Sequence, residues 1–225
     1  MSVRCKAVYA QKAVQKGVNM KKNQKFPCLG ALNVPNLITI SSVFAGVLAV
    51  LFALKGKEEL ALMVYPLTIL FDTLDGFAAR RLNQTSEIGL QLDSLADFSG
   101  FGVIPVILFF ILGGGSWMIL PGALFYILAA IMRLAYFNVY GMEEDGTYFV
   151  GVPSTISAAW LFLISMLVWN VMPEMMPPVA LAAMTVFGLL MVSGIRYKKR
   201  GLISKPLYVI LPCSVAAEFF IYLWK

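Results

Sequence analysis

Apolar runs of about 20 residues recur along this chain, at 34–54, 59–80, 88–113, 116–140, 152–172, 176–196 and 205–224. Each is long enough to cross the ~30 Å hydrocarbon core of a bilayer at about 1.5 Å per helical residue. Within lipid a segment must satisfy its own backbone N–H and C=O groups, so runs of this length fold as helices. The separators carry turn chemistry: Lys55-Gly56-Lys57, Gly113-Gly114-Gly115-Ser116, Glu143-Glu144-Asp145-Gly146, Pro173 with Pro177-Pro178, and the basic stretch from Arg196 to Lys205. The chain is 60% hydrophobic, with a mean hydropathy of +0.80, where soluble domains are about half apolar. These features predict an all-α, polytopic transmembrane bundle. They divide the chain into a single transmembrane domain over 31–225 and a preceding tail over 1–30.

The formal net charge is +6, yet charged residues make up only 13% of the chain, so the basic excess is confined to a few places. That distribution argues against nucleic acid as a partner and for cytoplasmic loops. Seven of the basic residues, from Arg4 to Lys25, lie in the tail, where Val3, Ala7, Ala10, Val14 and Val18 recur at helical spacing. The tail therefore reads either as a basic amphipathic helix on an anionic surface or as a disordered cationic segment. No cleavable signal is evident, and Met20-Lys21-Lys22 offers an alternative translation start. With the N-terminus in the cytoplasm, 15 of the 18 Lys and Arg fall on that side, leaving Lys55, Lys57 and Lys225 outside. Trp117, Trp169 and Trp224 then lie near the outer interface, where amphipathic rings are favoured.

Cys5, Cys28 and Cys213 show neither metal-binding nor disulfide spacing, and histidine is absent. Chemistry in this chain therefore rests on carboxylates, hydroxyls, Arg, Lys or a metal.

Against this background Asp72, Asp75, Asp93 and Asp97 stand out, because each lies inside an apolar run. A single Asp at the centre of a membrane helix costs roughly 2.5 to 3.5 kcal/mol on insertion scales. Asp72 and Asp75 share one helix face, Asp93 and Asp97 share another, and a short loop around Asn83 joins the two helices. Antiparallel neighbours can therefore aim all four acids at one point near the cytoplasmic boundary. Carboxylates gathered in a low dielectric repel one another unless a cation neutralises them. Oxygen ligands without His or Cys select a hard divalent ion, Mg2+ or Mn2+, with Ca2+ also admissible. Mg2+ is commonly shared between carboxylates and substrate phosphates, which suggests a phosphate-bearing substrate. Gly76 and Gly89 leave room for a ligand or a helix to approach, and Arg80 is placed to meet a phosphate bidentately. Arg81 reads as a topology charge at a helix end.

The pattern Asp72-x2-Asp75-Gly76-x2-Ala79-Arg80-x8-Gly89-x3-Asp93-x3-Asp97 resembles, at every fixed position, the signature of the CDP-alcohol phosphotransferases. The resemblance implies a six-helix catalytic core, with 205–224 as an extra C-terminal span. It also implies transfer of a phosphatidyl group from CDP-diacylglycerol to an alcohol, with release of CMP, assisted by one or two Mg2+ or Mn2+ ions. Asp72, Asp75 and Asp93 would hold metal, and Gly76, Ala79, Arg80 and Gly89 would lie against the nucleotide and its phosphates. Asp97 would be the base for the acceptor hydroxyl and a further metal ligand, with Asp93 counted beside it as catalytic. The family's habit of pairing implies a homodimer. Its setting here is the cytoplasmic membrane, with the active site on the cytoplasmic side.

Sequence beyond the core signature resembles the phosphatidylserine synthase branch, which points to L-serine as the acceptor. The segment Phe98-Ser99-Gly100-Phe101-Gly102-Val103-Ile104-Pro105 is similar to that branch's Ser-Phe-Gly-x-x-Pro, with Gly100 between Ser99 and Phe101. Arg133 to Asn138 resembles its Arg-Leu-Ala-Arg-Phe-Asn, with Tyr136 as a departure, and Gly151 to Ser154 its Gly-x-Pro-Ser. Pro35 to Thr39 also fits, although Ser42 stands where the branch often has Asn. Arg133, Asn138, Ser154 and Ser94 are candidate acceptor-binding residues, each with a packing role as the alternative. Inositol phosphate, glycerol phosphate or choline remain open as acceptors. Two other uses of intramembrane acids fit less well. Prenyltransferases place their acidic motifs far apart, and an ion-coupled transporter favours carboxylates near the midplane and an inverted repeat.

Overall fold

The computed structural model describes residues 32–141 and 148–198, together with the single positions 216 and 219. The predicted tail at 1–30, the acidic connection at 143–146 and the candidate span at 205–224 lie outside the described residues, apart from those two positions. Among the described residues, six stretches are long and apolar enough to cross a membrane: Val34–Leu54, Glu58–Arg81, Glu87–Leu112, Trp117–Tyr140, Ser154–Val171 and Pro173–Val192. These fall within a few residues of the first six predicted runs. The chain is an integral membrane protein with an all-α transmembrane region.

The first span is one helix, α1 (Val34–Leu54), whose N-cap Asn33 accepts a hydrogen bond from the Asn36 N–H at 2.9 Å. The second is broken into α2 (Glu58–Val64) and α3 (Pro66–Arg81). Pro66 has no N–H to continue the ladder, so the helical hydrogen bonding is interrupted at Tyr65, whose backbone stays helical (φ −55°, ψ −41°). The third span runs through α4 (Glu87–Asp97), a π-helical turn (Phe98–Val103) and α5 (Ile104–Leu112). The last three are built on α6 (Leu120–Tyr140), α7 (Ser154–Val171) and α8 (Met176–Val192). The most extensive packing joins α1 to α3 and α6 to α8.

Small side chains line the closest helix contacts of the bundle, alongside large buried ones such as Tyr65, Tyr126, Phe101 and Phe109. Ala45, Ala49 and Ala53, at steps of four on α1, are buried, and Ala123, Ala130, Ala158 and Ala180 do the same elsewhere. Phe44, Leu51, Leu54, Leu128 and Met132 are exposed on the outer surface. Lipid tails are as apolar as leucine, so helices in a bilayer gain from close backbone approach rather than from hiding large side chains.

Two details depart from the sequence expectation. The sixth span ends at Val192 rather than near 196, and Arg196–Lys198 forms a strand, β2, paired antiparallel with β1 (Tyr148–Val150). The helix stops because Ser193 is extended and Gly194 follows it. The start of the fifth run, expected at 152, likewise moves to Ser154, since Gly151 to Pro153 serve the ribbon. Gly151 has φ +71° and lies so close to α8 that a Cβ there would stand 2.1 Å from the Met191 carbonyl oxygen. Its N–H donates to the Ile195 carbonyl at 2.9 Å, and Val152 N–H donates to Leu190 at 3.1 Å. The ribbon thereby ties the α6–α7 connection to the end of α8.

Candidate active site

α3 and α4 bring their acids together at the end of the bundle that also carries Arg80, Arg81 and Arg196. Asp72, Asp75 and Asp93 each offer a carboxylate oxygen, and these three atoms lie within 4.8 Å of one another. The spacing of three between Asp72 and Asp75 puts both on one face of α3, and α4 returns Asp93 beside them. Three anionic oxygens at that separation, with no His or Cys, form a donor set suited to a hard divalent cation.

Asp97, one turn beyond Asp93, is not one of the three with mutually close oxygens. Its side chain is in hydrogen-bond contact with that of Asp72. Its Oδ1 is buried with no hydrogen-bond partner among the described residues. A buried polar atom left in that state costs about 1 to 3 kcal/mol, which a site can carry when the atom has work to do there.

Asp75 is anchored from α1. The Thr39 hydroxyl donates to its Oδ2 at 2.6 Å and also lies 3.1 Å from the Pro35 carbonyl. Thr39, Asn36 and Ser42 recur at steps of three, and all three are buried. They make a polar face on an otherwise apolar helix. Sequence reasoning gave these residues no role in the site, although three polar residues on one face of a membrane span were a visible signal.

A cavity of about 170 Å³ adjoins the acids, lined among others by Asn36, Thr39, Asp75, Gly76, Gly89 and Asp93. Ala79 lies on its wall too, as do Gln84, Thr85 and Ser86 from the α3–α4 loop, three polar residues also missed at the sequence level. Gly89 lets α1 and α4 meet here: a Cβ would stand 3.0 Å from both Asn36 Oδ1 and Ser86 Oγ. Gly89 N–H also donates to that Ser86 hydroxyl at 3.0 Å, capping α4. The Arg80 guanidinium curls back over Gly76, with its nearest nitrogen 3.4 Å from where a Cβ would be. Arg80 is solvent-exposed, so the cation can move between this position and a ligand without a large desolvation cost.

The remaining candidates gather beyond Asp97. Arg133 on α6 is buried, and its guanidinium carbon lies 5.1 Å from the Phe137 ring and 5.7 Å from that of Phe149 on β1. The two rings are 5.6 Å apart. Arg133 lies within electrostatic reach of Asp97, and its Nε is buried without a partner among the described residues. Ser154, first residue of α7, is fully buried, and its hydroxyl has no partner among the described residues. Ser94 and Asn138 are bonded to each other, Asn138 Nδ2 donating to Ser94 Oγ at 3.0 Å, which ties α4 to α6.

Residues 32–194 match the CDP-alcohol phosphatidyltransferase family. The chain belongs to that family. A Helicobacter pylori protein named CDP-diacylglycerol–serine O-phosphatidyltransferase is 36% identical over 168 residues, covering 72% of this chain and 70% of that protein. A Mycobacterium bovis protein of the same name is 30% identical over 207 residues, covering 84% and 72% respectively. An archaetidylserine synthase from Methanothermobacter thermautotrophicus is 33% identical over 145 residues, covering 63% and 59%. The acids, the cavity and Arg133 all lie within the portion that matches the CDP-alcohol phosphatidyltransferases.

The tight fit at Gly89 gives a measurable expectation for this family member. Gly89→Ala crowds Asn36 Oδ1 and the Ser86 cap, an overpacking cost of about 1 to 3 kcal/mol that outweighs the roughly 0.5 to 1 kcal/mol alanine gains over glycine in a helix. It should appear as a lowered thermal midpoint of the purified protein. An unchanged midpoint would show that the Asn36 and Ser86 side chains give way to the added methyl.

Proposed function

We propose that this chain transfers the phosphatidyl group of CDP-diacylglycerol to L-serine, giving phosphatidylserine and CMP. The observation that carries the reading is the convergence of the Asp72, Asp75 and Asp93 oxygens within 4.8 Å, beside a cavity walled by small residues. The acceptor rests on the names of the relatives and on the buried Arg133, whose charge complements a serine carboxylate. Asp72, Asp75 and Asp93 are the residues to hold Mg2+ or Mn2+. One ion or two so held would neutralise charge on the pyrophosphate and on the departing CMP.

The protein's own groups do the rest. Gly76, Ala79 and Gly89 leave space along the cavity for the nucleotide, and Arg80 meets a phosphate from its solvent-facing position. Arg133 holds the serine carboxylate, helped by the Ser154 hydroxyl, while the bonded pair of Ser94 and Asn138 fixes the wall on which the acceptor rests. Asp97 takes the proton from the serine hydroxyl as that oxygen bonds to the phosphatidyl phosphorus. The bond from that phosphorus to the CMP oxygen breaks in the same transfer, and CMP leaves with the electron pair. With histidine absent from the chain, a carboxylate is the available general base.

The reading includes the setting. The site lies at the cytoplasmic side of the cytoplasmic membrane, where CDP and serine are water-accessible while the diacylglycerol chains stay among lipids. It also keeps the homodimer that the family resemblance implies.

The test is CMP release by purified protein given CDP-diacylglycerol, Mg2+ or Mn2+, and a panel of alcohols. Serine-dependent CMP release that stops on chelation is expected. No CMP with any alcohol would sink the transfer reaction, whereas release with inositol phosphate or glycerol phosphate in place of serine would sink only the acceptor.

A further inference from the structure

Asp97 is followed at once by the π-helical turn Phe98–Val103, and the hydrogen bonds around that turn explain its presence. The Ile104 N–H is taken by the Ser99 carbonyl five residues earlier, which is the π spacing. Residue 105 is proline and has no N–H to give. The Gly100 carbonyl therefore loses both its α-type donor, Ile104, and its π-type donor, Pro105. The Phe101 carbonyl loses its α-type donor for the same reason.

Two tyrosines from other helices supply what is missing. The Tyr65 hydroxyl donates to the Gly100 carbonyl at 3.0 Å, and the Tyr126 hydroxyl donates to the Phe101 carbonyl at 2.9 Å. Tyr65 stands at the break between α2 and α3, Tyr126 stands on α6, and both are fully enclosed. A buried phenol needs a partner for its O–H, and a carbonyl in apolar surroundings needs a donor, so each bond satisfies two groups. Gly100 makes the approach possible, because a Cβ there would lie 2.9 Å from the Thr68 methyl on α3.

The turn sets an angle. An α turn in its place would shift the register between α4 and α5 by one residue, a rotation of about 100°. Most of α5 is locked in the core through Ile104, Leu108, Phe109 and Leu112. The rotation would fall on α4, the helix that carries Asp93 and Asp97.

We propose that Tyr65 and Tyr126 are positioning residues: through their hydroxyl bonds to the Gly100 and Phe101 carbonyls they hold the π turn, which aims Asp97 at the acceptor hydroxyl. This rests on the role given to Asp97 above. Neither tyrosine touches substrate, and both act through backbone.

The experiment is steady-state CMP release by purified Tyr126→Phe and Tyr65→Phe enzymes, varying serine and CDP-diacylglycerol separately, with thermal midpoints measured alongside. Each substitution keeps the ring and removes only the hydroxyl. Misplacing a reacting group by about an ångström costs up to 100-fold, so each kcat should fall about tenfold or more with the serine KM within about twofold, any rise in the CDP-diacylglycerol KM following the displacement of Asp93 on the same helix. Pro105→Ala added to Tyr126→Phe returns an N–H that can serve the Phe101 carbonyl in α-helical register. The thermal midpoint should recover and kcat should not. Recovery of kcat together with the midpoint would overturn the inference, since the hydroxyl would then merely stabilise. Wild-type kcat in both single variants would overturn it as well. Asp97→Asn in the same assay separates the two levels. If Asp97→Asn is inactive while the tyrosine variants are normal, the positioning role alone fails; if Asp97→Asn turns over normally, the role of Asp97 fails and takes this inference with it.

Discussion

Asp97→Asn is expected to lower kcat by at least about 1,000-fold while changing CDP-diacylglycerol affinity by less than about threefold. Asparagine is nearly the same shape, so helix packing around residue 97 should survive. It cannot take a proton from serine, and no histidine exists to replace it. Its contact with Asp72 can persist as an amide-to-carboxylate hydrogen bond, so the three clustered acids stay in place. Single-turnover CMP release, paired with a binding titration in detergent, measures both quantities. Residual turnover near that of the parent would show that another group takes the proton. Equal loss of binding would show that Asp97 holds the substrate or its metal instead.

Asp75→Asn should fail differently, by losing metal-dependent substrate binding. Asp75 Oδ2 is fixed by the Thr39 hydroxyl at 2.6 Å, so its carboxylate has little freedom to be replaced by a neighbour. Removing one of three anionic oxygens from a hard-ion site removes both a ligand and a charge. The CDP-diacylglycerol affinity gained on adding Mg2+ or Mn2+ should drop by at least about 100-fold, a loss of about 2.7 kcal/mol. The contrast is what matters: Asp75→Asn is cured in part by raising the metal concentration, and Asp97→Asn is not. If excess metal restores neither, the division between ligand and base is wrong.

Much of this arrangement is legible in the chain because lipid leaves few options. The first predicted run, 34–54, coincides with α1, since a bilayer demands a helix of that length and the Asn33 cap and Pro35 mark its start. The acids were legible too, because a carboxylate in an apolar run has an energetic cost that calls for an explanation. Thr39 was less so. Its value lies in a partner 36 residues away, and a hydroxyl in a membrane helix can equally well bond its own backbone. The strand ribbon had no signal of its own: three residues on each side are too few for alternation, and the pairing joins segments nearly 50 residues apart. The π turn is an intermediate case. Gly100, Gly102 and Pro105 announce an irregular helix, but the tyrosines that complete it belong to other spans and emerge only on folding.

The ribbon has a consequence for how such a protein can change. It carries Phe149 to the guanidinium of Arg133, whereas the clustered acids, Thr39 and Gly89 all come from the first 97 residues. On the proposed reading, the machinery for breaking the pyrophosphate and the machinery for selecting the alcohol are therefore encoded in different stretches of the gene. Asp97, held against the π turn, and Ser94, bonded to Asn138, are the residues of the first stretch that reach the second. Substitutions around Phe149 and Ser154 can accumulate without touching the metal ligands, so a new acceptor can be acquired while the old chemistry is inherited intact.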